Sequence, residues 1–366
     1  MSIVVVGGYG NAGRRIVELL LRHTDRQVVV TGRRLDRARA LVETLADSRA
    51  TAAQADATDP RTLAPLLEAA EILIVAAGTS TSWRTTARAA LDAGCHQLDI
   101  QIGSAKNAGL RALDPSAREA GVTILTDCGF HPGVPAAMVR QVDSGRGLAT
   151  AIVSSWIAVD WAGLGEFADS TIDEMLQEFA DYRYEAMVEG EWIAPRGMRT
   201  ADFPPDIGER KVAAMGLDEM HEVAATLPDL RTTGFYVGGF PPAVNYGVIP
   251  VVYAGMRVAP RQLAGPLGRL LNRSLRRFSK PPFTTVLQVD GACADAPVRP
   301  LMRLRHQDAY LLTAAPVVAA VRQVLDTPAR PGVHLQAMYV EPAAFFDDLA
   351  AMGVHVWTAP YDPSGR

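Results

Sequence analysis

The chain has 366 residues, 48% of them hydrophobic, enough to fill about two domain cores at the usual length per domain. A net charge of −4 gives no general attraction to nucleic acid or anionic lipid, and no basic residues alternate with aromatics along a strand, so neither partner is implied. Cys95, Cys128 and Cys293 lie far apart without a C-x-x-C or His-Cys cluster, so neither a disulfide framework nor a zinc site is suggested, and a reducing cytoplasm is the simplest setting.

The pattern opens with a β-branched run, Ile3 to Val6, followed by Gly8-x-Gly10-x-x-Gly13 and the helix-periodic stretch Arg14 to Leu21. A second strand, Gln27 to Thr31, completes a βαβ unit. In such a unit Gly8 permits the tight turn, Gly10 has no Cβ to hold a pyrophosphate away, and Gly13 lets the helix pack closely on its strand. The loop residues Tyr9, Asn11 and Ala12 then bring amides of the helix start to the phosphates. The strand starts at the second residue, leaving no room for a signal peptide, and no apolar stretch reaches the ~18 residues required to span a bilayer.

The second strand runs into Thr31-Gly32-Arg33-Arg34, where a chain preferring NAD places a carboxylate. Two guanidiniums there suit a ribose 2′-phosphate through paired, charge-assisted hydrogen bonds, which predicts NADP(H). The alternative is a basic first turn of the next helix, since Arg37 and Arg39 continue the run.

Helix Leu35 to Leu45, strand Ala50 to Asp56, a helix opened by Asp59-Pro60 and running through Ala70, and the buried-strand run Glu71 to Gly78 come next. Helix Ser82 to Ala93, strand Gln97 to Ile100, helix Pro115 to Ala120 and strand Val122 to Cys128 extend the alternation. The expected fold is α/β, a Rossmann-type doubly wound parallel sheet over residues 1–130. From 131 to 307 longer aromatic strands (Ala151 to Trp161, Tyr184 to Ile193, Thr232 to Val237, Thr284 to Asp290) predict an α+β substrate-binding and dimerisation domain. Gly234 to Pro250 reads as a structured loop and Arg269 to Lys280 as an amphipathic helix with a basic face. Helices Leu311 to Leu325 and Ala343 to Met352 and the strand Val354 to Trp357 are expected to pack back on the first domain, as part of a C-terminal segment of about 308–366.

With the glycine turn, Asp56-Ala57, Ala76-Ala77-Gly78, the run Ala93 to Asp99 and Gly129-Phe130-His131-Pro132-Gly133 all in order, the chain resembles the saccharopine dehydrogenase-like oxidoreductases. The likeness spans nearly the whole chain and is strongest over residues 1–140. It implies that Asp56 and Ala57 border the adenine, that Ala76, Ala77 and Gly78 line the dinucleotide, that Gly129 and Phe130 face the nicotinamide, and that the protein is a homodimer. The stretch Asp99-Ile-Gln-Ile-Gly103 departs from the family where an acidic residue often follows, which argues against saccharopine itself.

Hydride transfer also requires a group that gives or takes a proton, and open α/β sheets bind ligands at the C-terminal ends of their strands. Asp99, Asp127, Cys128 and His131 qualify by position. His131 leads because its pKa lies near neutrality and a helix start at Pro132 to Pro135 would lower it. Cys128 suits a buried structural role, and Asp99 and Asp127 equally suit caps. None of the three lysines, Lys106, Lys211 and Lys280, follows a tyrosine by four, which rules out a Tyr-x-x-x-Lys mechanism. In the second domain Trp156, Trp161, Tyr236, Phe240, Tyr246 and Arg257 are candidates for a substrate pocket. The leading function is an NADP-dependent reductase of a small carbonyl, imine or activated alkene, or of an amino-acid-like substrate. The alternatives are a catalytically silent NADP(H) sensor, and a lipid-modifying enzyme like the trans-acting enoyl reductases, which would need an exposed apolar surface near Val248 to Val258.

Overall fold

A computed structural model describes residues 1–77, 82–163, 182–281, 283–328 and 330–360. The chain divides into one unit of Met1–Val134 with Tyr310–Met352 and another of Pro135–Ala309 with Gly353–Arg366.

The first unit alternates strand and helix: β1 (Ser2–Val6), α1 (Asn11–His23), β2 (Gln27–Gly32), α2 (Leu35–Leu45), β3 (Ala50–Gln54), α3 (Pro60–Leu67), β4 (Ala70–Val75), α4 (Trp83–Ala93), β5 (His96–Asp99), α5 (Ser104–Arg111), α6 (Asp114–Glu119) and β6 (Thr123–Thr126). Every pairing in its sheet is parallel, in the order β15-β6-β5-β4-β1-β2-β3, where β15 is Gly332–Leu335. The strand order reverses between β1 and β4, which is where this class of sheet binds ligands. Ile3 to Val6 and Ile72 to Val75 form unbroken apolar runs because helices cover both faces. Val4, Val6, Leu73 and Val75 pack on Leu63 and Leu67 of α3 and on Ala89 and Ala90 of α4. The fold class read from the sequence is the observed one.

The seventh strand was not foreseen: four residues, Gly-Val-His-Leu, carry too little pattern, and their partner β6 lies some two hundred residues away. It is flanked by α11 (Ala309–Asp326), α12 (Gln336–Tyr339) and α13 (Pro342–Ala351). Among the described residues α11 is the one helix long and apolar enough to cross a membrane, but Leu312, Ala314 to Val321 and Val324 are buried within the unit, as in a core helix.

The second unit holds a mixed sheet in the order β10-β11-β12-β7-β13-β14-β16. Its strands are β7 (Leu148–Ala158), β8 (Ala186–Val188), β9 (Glu191–Ile193), β10 (Arg199–Asp202), β11 (Glu209–Met215), β12 (Thr232–Gly238), β13 (Thr284–Cys293), β14 (Arg299–His306) and β16 (His355–Thr358). Helices α7 (Pro135–Asp143) and α8 (Asp218–Thr226) pack with it. A π-turn (Val244–Val248), α9 (Ile249–Val258) and α10 (Pro260–Phe278) share a separate small core of Val244, Val252, Met256, Leu267, Leu271 and Leu275.

Three expectations need correction here. Tyr184 to Ile193 is not one strand but the hairpin β8–β9, turned at Glu189 and Gly190, both at positive φ (53° and 89°), as a two-residue hairpin turn of the primed type demands. The strand near Val354 to Trp357 does not join the first unit: it pairs antiparallel with β14 and supplies its backbone bonds. Gly234 to Pro250 is not one loop, since β12 extends to Gly238 and helical structure begins at Val244.

A close approach between α4 and α5 offers a test of this packing. A Cβ on Gly109 would stand 2.1 Å from Cη2 of the buried Trp83 indole. Alanine normally gains up to about 1 kcal/mol over glycine inside a helix. Here Gly109→Ala is expected to lose about 1–3 kcal/mol through overpacking, read as a lower urea midpoint, and a raised midpoint would contradict the packing.

Candidate functional site

The turn after β1 is built from four glycines, and the left-handed one is Gly7, at φ +81°, not Gly8. A Cβ on Gly7 would stand 2.7 Å from the carbonyl oxygen of Ala76 and 2.8 Å from the amide nitrogen of Ala77, so the first turn lies backbone to backbone against the end of β4. Gly8 packs on Val30 and on the Val5 carbonyl. A Cβ on Gly13 would reach within 2.1 Å of the Gly7 carbonyl oxygen, which fixes the close approach of α1 to the turn. The spacing rule selects Gly8, whereas the backbone angle shows that the residue before it is the one that requires glycine.

Helix α1 starts at Gly10 with no side-chain cap and no acidic residue in its first turn. The amides of Asn11, Ala12 and Gly13 therefore have no intrahelical acceptors, and the positive end of the helix is left for an external anion. Asn11 donates from Nδ2 to the Tyr310 hydroxyl at 3.0 Å. The Tyr9 ring covers Gly32, and its hydroxyl accepts from the Arg34 amide at 3.0 Å, joining the glycine turn to the end of β2.

The two arginines after β2 differ. Arg34 is ion-paired with Asp36 at 2.9 Å. Arg33 is exposed, and its guanidinium has no hydrogen-bond or ion-pair partner among the described residues. Asp56 lies near enough to Arg33 to feel its charge, and the amide and hydroxyl of Thr58 donate to its Oδ1 and hold the carboxyl below its ordinary range. Ala57 is buried in the core. Ala76 and Ala77 stand at the end of β4, and Gly78 lies outside the described residues.

The C-terminal ends of β5 and β6 enclose a charged cluster that sequence reading missed. Lys106, on the first turns of α5, is buried and donates from Nζ to Asp99 Oδ1 at 2.6 Å, to Asp127 Oδ1 at 3.2 Å and to the Gln101 carbonyl. Asn107 donates to Asp127 Oδ2 at 2.7 Å, and Thr126 to Asp99 Oδ1 at 3.3 Å. Asp99 Oδ2 is buried without a hydrogen-bond partner. Gln101 donates to the Ala77 carbonyl at 2.9 Å, linking the cluster to the wall of the glycine turn. Lysine scarcity was the available signal, since one of only three lysines falls directly after the Asp99 strand.

Burial disfavours the Lys106 charge, yet the two carboxylates overcome it and hold the ammonium above its ordinary value. Burial, with Asp99 adding to it, pushes Asp127 up to about 6 against the pull of Lys106 and Asn107. Burial and the nearby Asp99 charge raise the Cys128 thiol, which keeps it protonated and unsuited to nucleophilic attack. His131 is pulled down to about 4 by burial rather than by a helix start, so it is neutral at pH 7. Its ring lies 4.1 Å from that of Phe130. The Gln336 carboxamide donates to the carbonyls of Gly129 and Gly133, both at 3.1 Å, and so holds the loop that carries Phe130 and His131. The structure thus brings Asp99, Asp127 and Cys128 together around Lys106.

In the second unit, Trp156, Trp161, Phe240 and Tyr246 line a cleft of about 500 Å³, together with Arg210, Lys211 and Lys280. Tyr236 instead belongs to a core cluster, and the Arg257 guanidinium rests 4.7 Å above the Tyr253 ring.

Two measurements check the cluster. Lys106→Met leaves two carboxylates buried without a counterion and is expected to cost about 3–5 kcal/mol in urea denaturation at neutral pH, with part recovered by adding Asp99→Asn; a loss below about 1 kcal/mol would contradict the pairing. The second is a pH profile. Between about pH 4 and 6 folded Asp127 keeps a proton that the unfolded chain releases, so its contribution to stability falls as pH rises. Between about 4 and 6.5 the unfolded chain protonates His131 and the folded one does not, so that contribution rises with pH and offsets the first. His131→Gln should unmask a stability loss of about 2–3 kcal/mol from pH 4 to 6, whereas a profile parallel to wild type would contradict it.

The saccharopine dehydrogenase NADP binding domain family model matches residues 3–125. No curated protein matches the chain. Among solved structures, the apo saccharopine dehydrogenase (L-Glu forming) of Saccharomyces cerevisiae superposes at a TM-score of 0.67 with 15% identity, over 98% of this chain and 100% of that one. The DAP dehydrogenase of C. glutamicum, in complex with DAP, aligns at a TM-score of 0.47 with 13% identity, over 96% and 98% of the two chains. The fold is therefore shared with the yeast dehydrogenase, and residues 3–125 belong to the family of saccharopine dehydrogenase NADP binding domains.

Proposed function

We propose that the protein is an NADP(H)-dependent oxidoreductase that moves a hydride between the nicotinamide and a small carbonyl, imine or amino-acid-like substrate. The observation that carries this reading is Gly10. Its backbone, at φ −72° and ψ 170°, is open to any residue, and a Cβ there would meet only the Gly7 carbonyl oxygen, at 3.2 Å. Gly7 and Gly13 are demanded by contacts within the fold, whereas glycine at position 10 answers to a pyrophosphate lying on the helix start. The name of the yeast protein of the same fold, saccharopine dehydrogenase (L-Glu forming), supports an amino-acid-like substrate.

Gly7 to Gly13 would hold the pyrophosphate, Ala76 and Ala77 the strand-end side of the dinucleotide, Asp56 and Ala57 the adenine, and Gly129 and Phe130 the nicotinamide end. The cofactor supplies the hydride chemistry. Arg33, which feels the Asp56 charge but forms no ion pair among the described residues, takes the 2′-phosphate, with Arg34 secondary because Asp36 already engages it. The proton role is assigned to the cluster in which Lys106 Nζ holds a proton between Asp99 and Asp127, and His131, neutral at pH 7, serves as a hydrogen-bonding group.

Calorimetry with NADPH and NADH tests the preference. Arg33→Ala is expected to weaken NADPH binding about tenfold and to leave NADH unchanged, with a smaller effect for Arg34→Ala. Equal affinities of the wild type for the two coenzymes would reject it. NADPH oxidation across a panel of keto acids, with and without amines, separates the enzyme from a silent sensor: tight coenzyme binding with no substrate-dependent oxidation would favour the sensor.

A further inference from the structure

Between Pro241 and Lys280 the sequence carries six arginines and one lysine and no carboxylate, although the whole chain is net negative. The same segment folds as the π-turn, α9 and α10 of the second unit. The two helices turn Val252 and Met256 of one, and Leu267, Leu271 and Leu275 of the other, into their shared core. Besides Gly247 and Arg257, what faces outward from the π-turn and α9 is an apolar stripe at helical spacing, formed by Tyr246, Pro250, Val251, Ala254 and Val258. Tyr246 is 65% exposed, Val251 53% and Val258 83%. On the C-terminal half of α10 the outward residues are Arg269, Leu270, Arg273, Arg277 and Phe278. Soluble surfaces seldom leave a contiguous apolar stripe of this kind without an occupant.

We propose that this helical pair docks the protein on the surface of an anionic phospholipid bilayer, with the α9 stripe entering the headgroup boundary and the arginines meeting lipid phosphates. The charge decides the occupant. A second copy meeting this face through a two-fold axis would set the same cations against themselves, with no acidic residue in the segment to relieve them. A negative lipid surface complements them, and exposed apolar side chains flanked by arginine are what an interfacial helix requires. Tyr246, Phe278 and Lys280 also line the aromatic cleft, so the proposed lipid-facing surface adjoins it. Whole-chain charge, which gives no general attraction to lipid, averages over this segregation.

The test is co-sedimentation of the full chain with vesicles of phosphatidylcholine alone and of phosphatidylcholine with phosphatidylglycerol. Binding to the anionic vesicles should exceed binding to the neutral ones by about tenfold or more, and should fall as salt rises. Val251→Asp with Val258→Asp, and separately Arg269→Glu with Arg273→Glu, should each reduce it several-fold while the melting curve and NADPH binding stay as in wild type. Because these side chains are solvent-exposed, the variants keep the fold. Equal binding to both vesicle types, no binding to either, or binding unchanged in both variants would overturn the proposal. So would a dimer that Val251→Asp/Val258→Asp dissociates in a protein that ignores vesicles, since the stripe would then belong to a second copy.

Discussion

The first unit depends on a backbone-to-backbone contact: Gly7, in the left-handed region, lies against the ends of Ala76 and Ala77 at a distance that a side chain would forbid. This contact brings β1 and β4 together at their C-terminal ends, where the strand order reverses, and sets α1 directly behind the turn through Gly13. A parallel sheet covered on both faces has its ligand-accessible polar backbone at this edge. Asp99, Gln101, Lys106 and Asp127 gather at the same strand ends.

From that edge the polar connections run inward without a gap. Ala77 accepts from Gln101, the Gln101 carbonyl accepts from Lys106, and Lys106 bridges Asp99 and Asp127. A buried cation between two buried carboxylates is costly to desolvate and is a weak source of stability compared with an apolar core. Its retention, with one oxygen of Asp99 unsatisfied, is the pattern expected where a site rather than a core is being built. The neutral His131, held in its loop by Gln336, fits the same reading, in which burial sets protonation states at the strand ends.

What was legible in the sequence is what local physics controls. The β-branched run, glycine spacing and periodic helix of the first βαβ unit are short-range signals, and the alternation up to β6 follows the same rules. Gly7 was hidden because the G-x-G-x-x-G spacing points to Gly8, and the need for glycine one residue earlier shows only in a φ angle. Helix α5 was missed because Ser-Ala-Lys-Asn-Ala-Gly-Leu-Arg buries Lys106 and Asn107, polar residues that break the apolar period. Lys106 therefore escaped notice while its two partners, Asp99 and Asp127, were found by position. Strand β15 was unreadable for a different reason, and β16 was read as a strand but assigned to the wrong unit: each is four residues long and is placed only by a partner far away in the chain. The surface stripe of α9 was anticipated as a condition of one functional alternative, but its exposure is a property of tertiary packing and not of composition.

The central claim is that a dinucleotide lies on the glycine turn, and Gly10 isolates it, because a larger residue there fills the cradle from a backbone conformation open to any residue, with the Gly7 carbonyl oxygen, 3.2 Å from a Cβ, having to yield slightly. Calorimetric titration of NADPH into the wild-type chain and into Gly10→Val is the most direct test. The account predicts one site in wild type and a loss of affinity of about 100-fold or more in the variant, measured where its melting curve shows it still fully folded. A wild-type chain that is well folded yet takes up no NADPH, or a Gly10→Val variant that binds it equally well, would contradict it.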